Sequence, residues 1–121
     1  MSIASSNRVI SSDLVEGTAV YNNDGDQLGT IEGLMIDKVS GKVRYAVMEF
    51  GGFLGMGTER YPIPWTMLRY DVDRDGYVVP LDKARLEGAP RYAAADVPNY
   101  DDTYRDDVDR YYTAPARRAL L

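Results

Sequence analysis

Clusters of turn-forming residues cut this chain into short β-rich runs, and their spacing limits what it folds into more than any other feature. Asn22, Asn23, Asp24, Gly25 and Asp26 form one cluster, residues 38–42 a second and residues 72–76 a third. Two of them hold an Asp-Gly pair, 24–25 and 75–76, and both residue types tolerate the positive φ of a tight hairpin. A fourth break, residues 51–57, contains four glycines.

The runs between the breaks read as strands over 18–21, 27–37, 43–50, 60–63, 69–71 and 77–81. In the second run the apolar positions are Leu28, Ile31, Leu34 and Ile36, and strict alternation fails where Gly33 sits. A glycine inside such a break predicts a β-bulge that lets a small sheet curl. The third run places Ala46, Met48 and Phe50 on one face and Val43, Tyr45 and Val47 on the other. A strand apolar on both faces is expected to be covered on both. Pro62 and Pro64 cannot donate to a ladder, so the fourth run is expected to be short or at an edge. Single helical turns are predicted over 11–16, before Gly17, and over 65–68, after Pro64; a short capped helix is predicted over 82–87, before Gly88. The fold class is all-β: a small antiparallel barrel of about six strands, with short helical turns and a C-terminal helix.

Residues 43–65 are the centre of this plan. A β-rich run enters the glycine turn, which carries Phe53, Leu54 and Met56, and a second run leaves it and ends on the single tryptophan, Trp65. Large apolar side chains in a turn either fold inward to close an end of the barrel or form a surface for a partner. The glycine spacing lacks the strand–turn–helix setting and the lysine of a phosphate-binding loop.

Composition narrows the chemistry. The 121 residues include no cysteine and no histidine. Thiol catalysis, disulfides and thiolate metal sites are thereby excluded, and so are the commonest general base and transition-metal ligand. The net charge of −5 repels phosphate backbones. No apolar run reaches the ~18 residues of a membrane span, and the first residues carry no apolar signal region. These features predict a cytoplasmic protein with no integral membrane segment and no nucleic-acid partner.

From residue 91 the chain turns acidic and tyrosine-rich. Tyr100, Tyr104, Val108 and Tyr111 recur at spacings of four, four and three, one face of a helix over 100–112 that packs either on its own barrel or, as favoured here, on a neighbouring chain in a homodimer. Asp101 precedes Arg105 by four residues, and Asp106 precedes Arg110 likewise. The division expected is a loose N-terminus over 1–9, a barrel domain over 10–90 and an extension over 91–121 that frays from residue 113.

Three stretches then form a pattern. Residues 20–33 (VYNNDGDQLGTIEG), 45–57 (YAVMEFGGFLGMG) and 63–71 (IPWTMLRYD) occur in order with suitable spacing and resemble the PRC-barrel family. That family takes its name from the cytoplasmic domain of the photosynthetic reaction-centre H subunit and includes the C-terminal domain of RimM-type ribosome maturation factors. The resemblance covers about residues 10–90. It implies a small β-barrel serving assembly or interaction, with no shared catalytic residues. The chain shows neither the H subunit's membrane helix nor the maturation factor's N-terminal domain, and so looks like a free-standing bacterial member. By the same resemblance, a role as an accessory factor in photosynthetic-complex or ribosome assembly is an alternative.

The functional expectation is a non-enzymatic interaction module, homodimeric, with no cofactor and an unknown protein partner. Its candidate contact residues are Phe53, Leu54, Met56, Tyr100, Tyr104, Val108 and Tyr111. An alternative is calcium binding. Asp71, Asp73, Asp75 and Gly76 match the opening of a calcium loop that would run to Asp82, although Asp stands where a bidentate Glu is usual and Pro80 lies inside the loop. No catalytic residue is expected. Glu49, Glu59 and Arg60 flank the glycine turn and read as surface charges.

Overall fold

A computed structural model describes residues 8–51 and 58–113. The expectations for Phe53, Leu54 and Met56, for the first seven residues and for residues 114–121 lie outside this described part.

The elements follow the chain as α1 (Ser12–Val15), β1 (Ala19–Tyr21), β2 (Gln27–Ile36), β3 (Val43–Gly51), β4 (Thr58–Pro64), a 3-10 turn (Trp65–Met67), β5 (Arg69–Asp71), β6 (Gly76–Val78), α2 (Lys83–Glu87), β7 (Tyr92–Ala93) and α3 (Asp102–Thr113). The seven strands form one sheet in the order β5-β6-β1-β2-β3-β4-β7. It curls around its core, but no pairing joins its two edge strands among the described residues.

Each hairpin turn is built on an Asx residue whose side chain satisfies turn amides. Asn22 Oδ1 accepts from the N–H groups of Asp24 and Asp26 at 3.0 and 2.9 Å. Asp37 Oδ1 accepts from Val39 and Ser40 at 2.9 and 3.0 Å, and those two bonds hold its carboxyl below its ordinary pKa. Asp71 Oδ1 accepts from Asp73 at 3.0 Å. The short helices are capped as their sequences require: Ser11 precedes α1, and Asp82 accepts the Arg85 N–H at 2.7 Å.

The pairing of β2 with β3 shifts register between Ile31 and Gly33, so the predicted bulge is present. Gly29 marks the tightest approach of the two strands. A Cβ there would lie 2.1 Å from the carbonyl oxygen of Glu49. The main core is formed by Val20, Leu28, Ile31, Ala46, Met48, Tyr61, Ile63, Val79, Leu81 and Leu86, among others. On the opposite face of β3, Tyr45 and Val47 are buried as well.

Two features depart from the expected plan. The parallel pairing of β1 with β6, Val20 opposite Tyr77 and Tyr21 opposite Val78, brings the third hairpin back beside the first strand. A seventh strand, β7, pairs with β4 at Glu59 and Arg60. Pro62 and Pro64 lie beyond that pairing, on the stretch of β4 that β7 leaves uncovered, where a residue without an N–H is tolerated.

Candidate functional site

The side chains with the most displaced protonation equilibria are tyrosines, and most of those gather where α3 lies on the barrel. The helix spans twelve residues, too few to be stable alone in water, so its packing determines whether it forms. Val108 is fully buried. Tyr111 and Tyr112 pack against the main core. The apolar face therefore runs Tyr104, Val108, Tyr111, Tyr112. Tyr112, eight residues after Tyr104, is a member that the 100–104–108–111 stripe misses, although the spacing was there to be read.

Polar contacts fix the helix at both ends. The Tyr45 hydroxyl donates to Asp109 Oδ1 at 2.9 Å. Near the helix C-terminus, Arg85 Nη2 donates to the carbonyls of Tyr111 and Tyr112 at 3.2 and 3.5 Å. Its guanidinium also lies 5.2 and 5.6 Å from the centres of those two rings. A cation at this end of a helix offsets the partial negative charge of its free carbonyls, and over a ring it meets the negative π face. The Tyr111 hydroxyl returns a hydrogen bond to the Arg85 carbonyl. At the N-terminal end Tyr100 stacks against three rings: Tyr104 at 5.1 Å, Tyr45 at 5.9 Å and Tyr92 at 6.3 Å between centres. Its hydroxyl lies 2.6 Å from that of Tyr92.

Burial pushes the hydroxyls of Tyr45 and Tyr104 up to about 12, and for Tyr45 the bond to Asp109 adds to it. Tyr100 and Tyr112 are raised by the same loss of solvent. All four hydroxyls are stabilised in the neutral form, the reverse of what an activated base needs. Among the described residues, four buried polar atoms have no hydrogen-bond partner, and three of them lie in this seam: Tyr104 Oη, Tyr112 Oη and Arg85 Nε.

A cleft of about 380 Å³ opens where α3 meets β3 and the 3-10 turn, lined by Arg44, Tyr45, Thr66, Met67, Asp109 and Thr113 among others. Tyr45, Tyr112, Pro64 and Met67 supply its apolar lining, with one cation, Arg44, and one carboxylate, Asp109.

The other predicted sites fall elsewhere. Asp71, Asp73 and Asp75 share the β5–β6 turn, but their carboxylates have separate tasks. Asp71 accepts the Asp73 amide and faces Arg74 at 3.8 Å. Asp75 accepts from the Tyr70 hydroxyl and holds a positive φ of 51°. Among the described residues, no group of three or more acidic side chains is placed to hold a metal ion. Glu49, Glu59 and Arg60 stand in cross-strand ion pairs: Arg60 contacts Glu32 at 3.1 Å and Glu49 at 3.2 Å, and Arg91 contacts Glu59 at 3.3 Å.

A family model, PRC-barrel domain, matches residues 8–86. The chain belongs to the PRC-barrel family. Helix α3 lies wholly beyond the matched residues, so the seam joins the PRC-barrel to a segment outside the family model. Among solved structures the chain is similar to a 16S ribosomal RNA processing protein, RimM, from Pseudomonas aeruginosa. The two share 19% sequence identity with a TM-score of 0.39, over 66% of this chain and 48% of that one. The chain thus spans about half the length of that structure. A search of curated proteins finds no match.

Proposed function

We propose that this PRC-barrel protein is a non-enzymatic protein-interaction module that works as a homodimer, with Phe53, Leu54 and Met56, Tyr100 and the α3 residues Tyr104, Val108 and Tyr111 as its contact residues. The observation that carries this reading is that the barrel already accepts an amphipathic helix on an outer face. Tyr45 and Val47 are buried on the side of β3 turned away from the main core, and Asp109 of α3 meets Tyr45 there. A sheet with an apolar outer face and a helix laid upon it is one of the recurring solutions to protein recognition. The chemistry of the seam agrees, because its tyrosines are held neutral and its carboxylate, Asp109, accepts from the Tyr45 hydroxyl. Among the described residues no helix is long and apolar enough to cross a membrane.

Light scattering on the full chain tests the reading. A particle of twice the chain mass is expected, and the Phe53→Ser/Met56→Ser double variant is expected to shift toward single chains. A folded wild-type protein that stays monomeric at high concentration overturns it.

A further inference from the structure

We infer that α3 is an exchange element: in the homodimer each copy lays its α3 on the outer face of the other copy's barrel, where Tyr45 and Arg85 wait to receive it. This rests on the homodimeric reading above and specifies its geometry.

Four observations converge on it. First, the chemistry of α3 matches that of the face. The face offers a buried tyrosine hydroxyl donor at Tyr45 and a guanidinium at Arg85. The helix supplies the matching carboxylate at Asp109, the free carbonyls of Tyr111 and Tyr112, and the apolar side chain of Val108. Every copy carries both halves, so a second copy satisfies each contact without a new one being built. Second, the charges suit the exchange. Helix α3 has four aspartates against two arginines, and it meets the barrel beside Arg44 and Arg85.

Third, the connection permits it. Residues 94–101 join β7 to α3 without a helix or strand of their own. The part free of the seam, residues 94–99, reaches about 20 Å fully extended. Val97 precedes Pro98, and a residue before proline favours extended backbone. Val97 is 60% exposed, whereas Tyr100, packed on Tyr45 and bonded to Tyr92, belongs to the docked unit and travels with α3 in the exchange. Fourth, the seam within one chain is incompletely satisfied. The Tyr104 and Tyr112 hydroxyls and Arg85 Nε have no partner. Each buried orphan weakens the hold of the helix on its barrel and so lowers the cost of releasing it; the exchanged seam carries the same orphans.

The absence of cysteine gives a clean test. Thr66 and Thr113 are both exposed and line the same cleft, one on the barrel side and one on α3. The Thr66→Cys/Thr113→Cys double variant is equilibrated at high concentration, weighed by light scattering, treated with a short bismaleimide and resolved under denaturing conditions. Circular dichroism first confirms that its fold matches wild type. Exchange predicts a dimer in solution whose cross-linked product is a covalent dimer. A dimer whose cross-links all lie within single chains overturns the exchange and leaves the homodimeric reading standing, and so does a dimer that the reagent does not join. A monomer overturns both.

Discussion

Single side chains decide much of this structure through what surrounds them. Gly29 has no room for a β-carbon, because the nearest atom would be the Glu49 carbonyl oxygen of the neighbouring strand. Gly29→Ala must push β2 away from β3 in the middle of the sheet. A loss of about 3 kcal/mol is expected, read as a lower urea midpoint with unchanged far-ultraviolet dichroism at low denaturant. The tyrosine hydroxyls divide by partner. Tyr104 and Tyr112 bury Oη unpaired, so Tyr104→Phe and Tyr112→Phe remove a polar atom that costs free energy to bury. Both variants should be as stable as wild type or more stable, by up to about 1 kcal/mol. Tyr45→Phe removes the donor that Asp109 uses and should be less stable by about 1–2 kcal/mol. Denaturant unfolding of the three variants side by side checks the ordering, and equal losses in all three would contradict it. Little of this division was legible in the sequence, where the tyrosines differ only in position.

At the scale of elements, α3 is held by side chains that must stay neutral, and this gives its docking a pH limit. The hydroxyls of Tyr45 and Tyr104 titrate near 12 in the folded protein, against an ordinary value of about 10. Because the folded state resists ionising these hydroxyls, the fold keeps its full stability below pH ~10 and loses part of it as the pH climbs through ~12. The seam should stay closed through neutral and mildly alkaline solution, then open between those limits. Following phenolate absorbance and near-ultraviolet dichroism together tests this, and loss of the aromatic signal below pH 10 would contradict it. The elements were unequally legible. The three hairpin turns, the Gly33 bulge and the capped helices were readable because each is decided by residues within a few positions of one another, although Asp37 and Asp71, whose side chains bond the turn amides, were read as the ends of strands. The β1–β6 pairing and the two-residue β7 were not. Pairing Val20 with Tyr77 joins segments far apart in the chain, and a two-residue strand has no period to detect. The helix was readable from its stripe, but its receptor was only half so. The two-faced pattern of β3 announced a cover for Tyr45 and Val47, whereas nothing local marked Arg85 as the residue that holds the far end.

For the whole molecule, the question is whether the barrel stands without its extension. The family model ends at residue 86, which taken alone would make α3 an accessory. The packing says otherwise. Removing residues 96–121 takes away Val108, Tyr111 and Tyr112 and uncovers Tyr45, now 2% exposed. Each buried side chain of this size is worth about 1.5–3 kcal/mol. Residual structure in the unfolded chain and the ordering of the helix both reduce that sum. A net loss of about 5 kcal/mol remains a reasonable scale, and a domain of this size holds only about 5–15 kcal/mol in all. The shortened chain should therefore unfold at much lower urea, and the apolar side chains it exposes should make it self-associate. The stretch of β4 beyond β7 limits that association to the sheet face, because Pro62 and Pro64 offer no N–H to an incoming strand. Urea unfolding and sedimentation of the shortened chain decide the matter. An unchanged midpoint in a well-dispersed protein would mean that α3 merely rests on a barrel complete without it, and the exchange of α3 between copies would then lose its energetic basis.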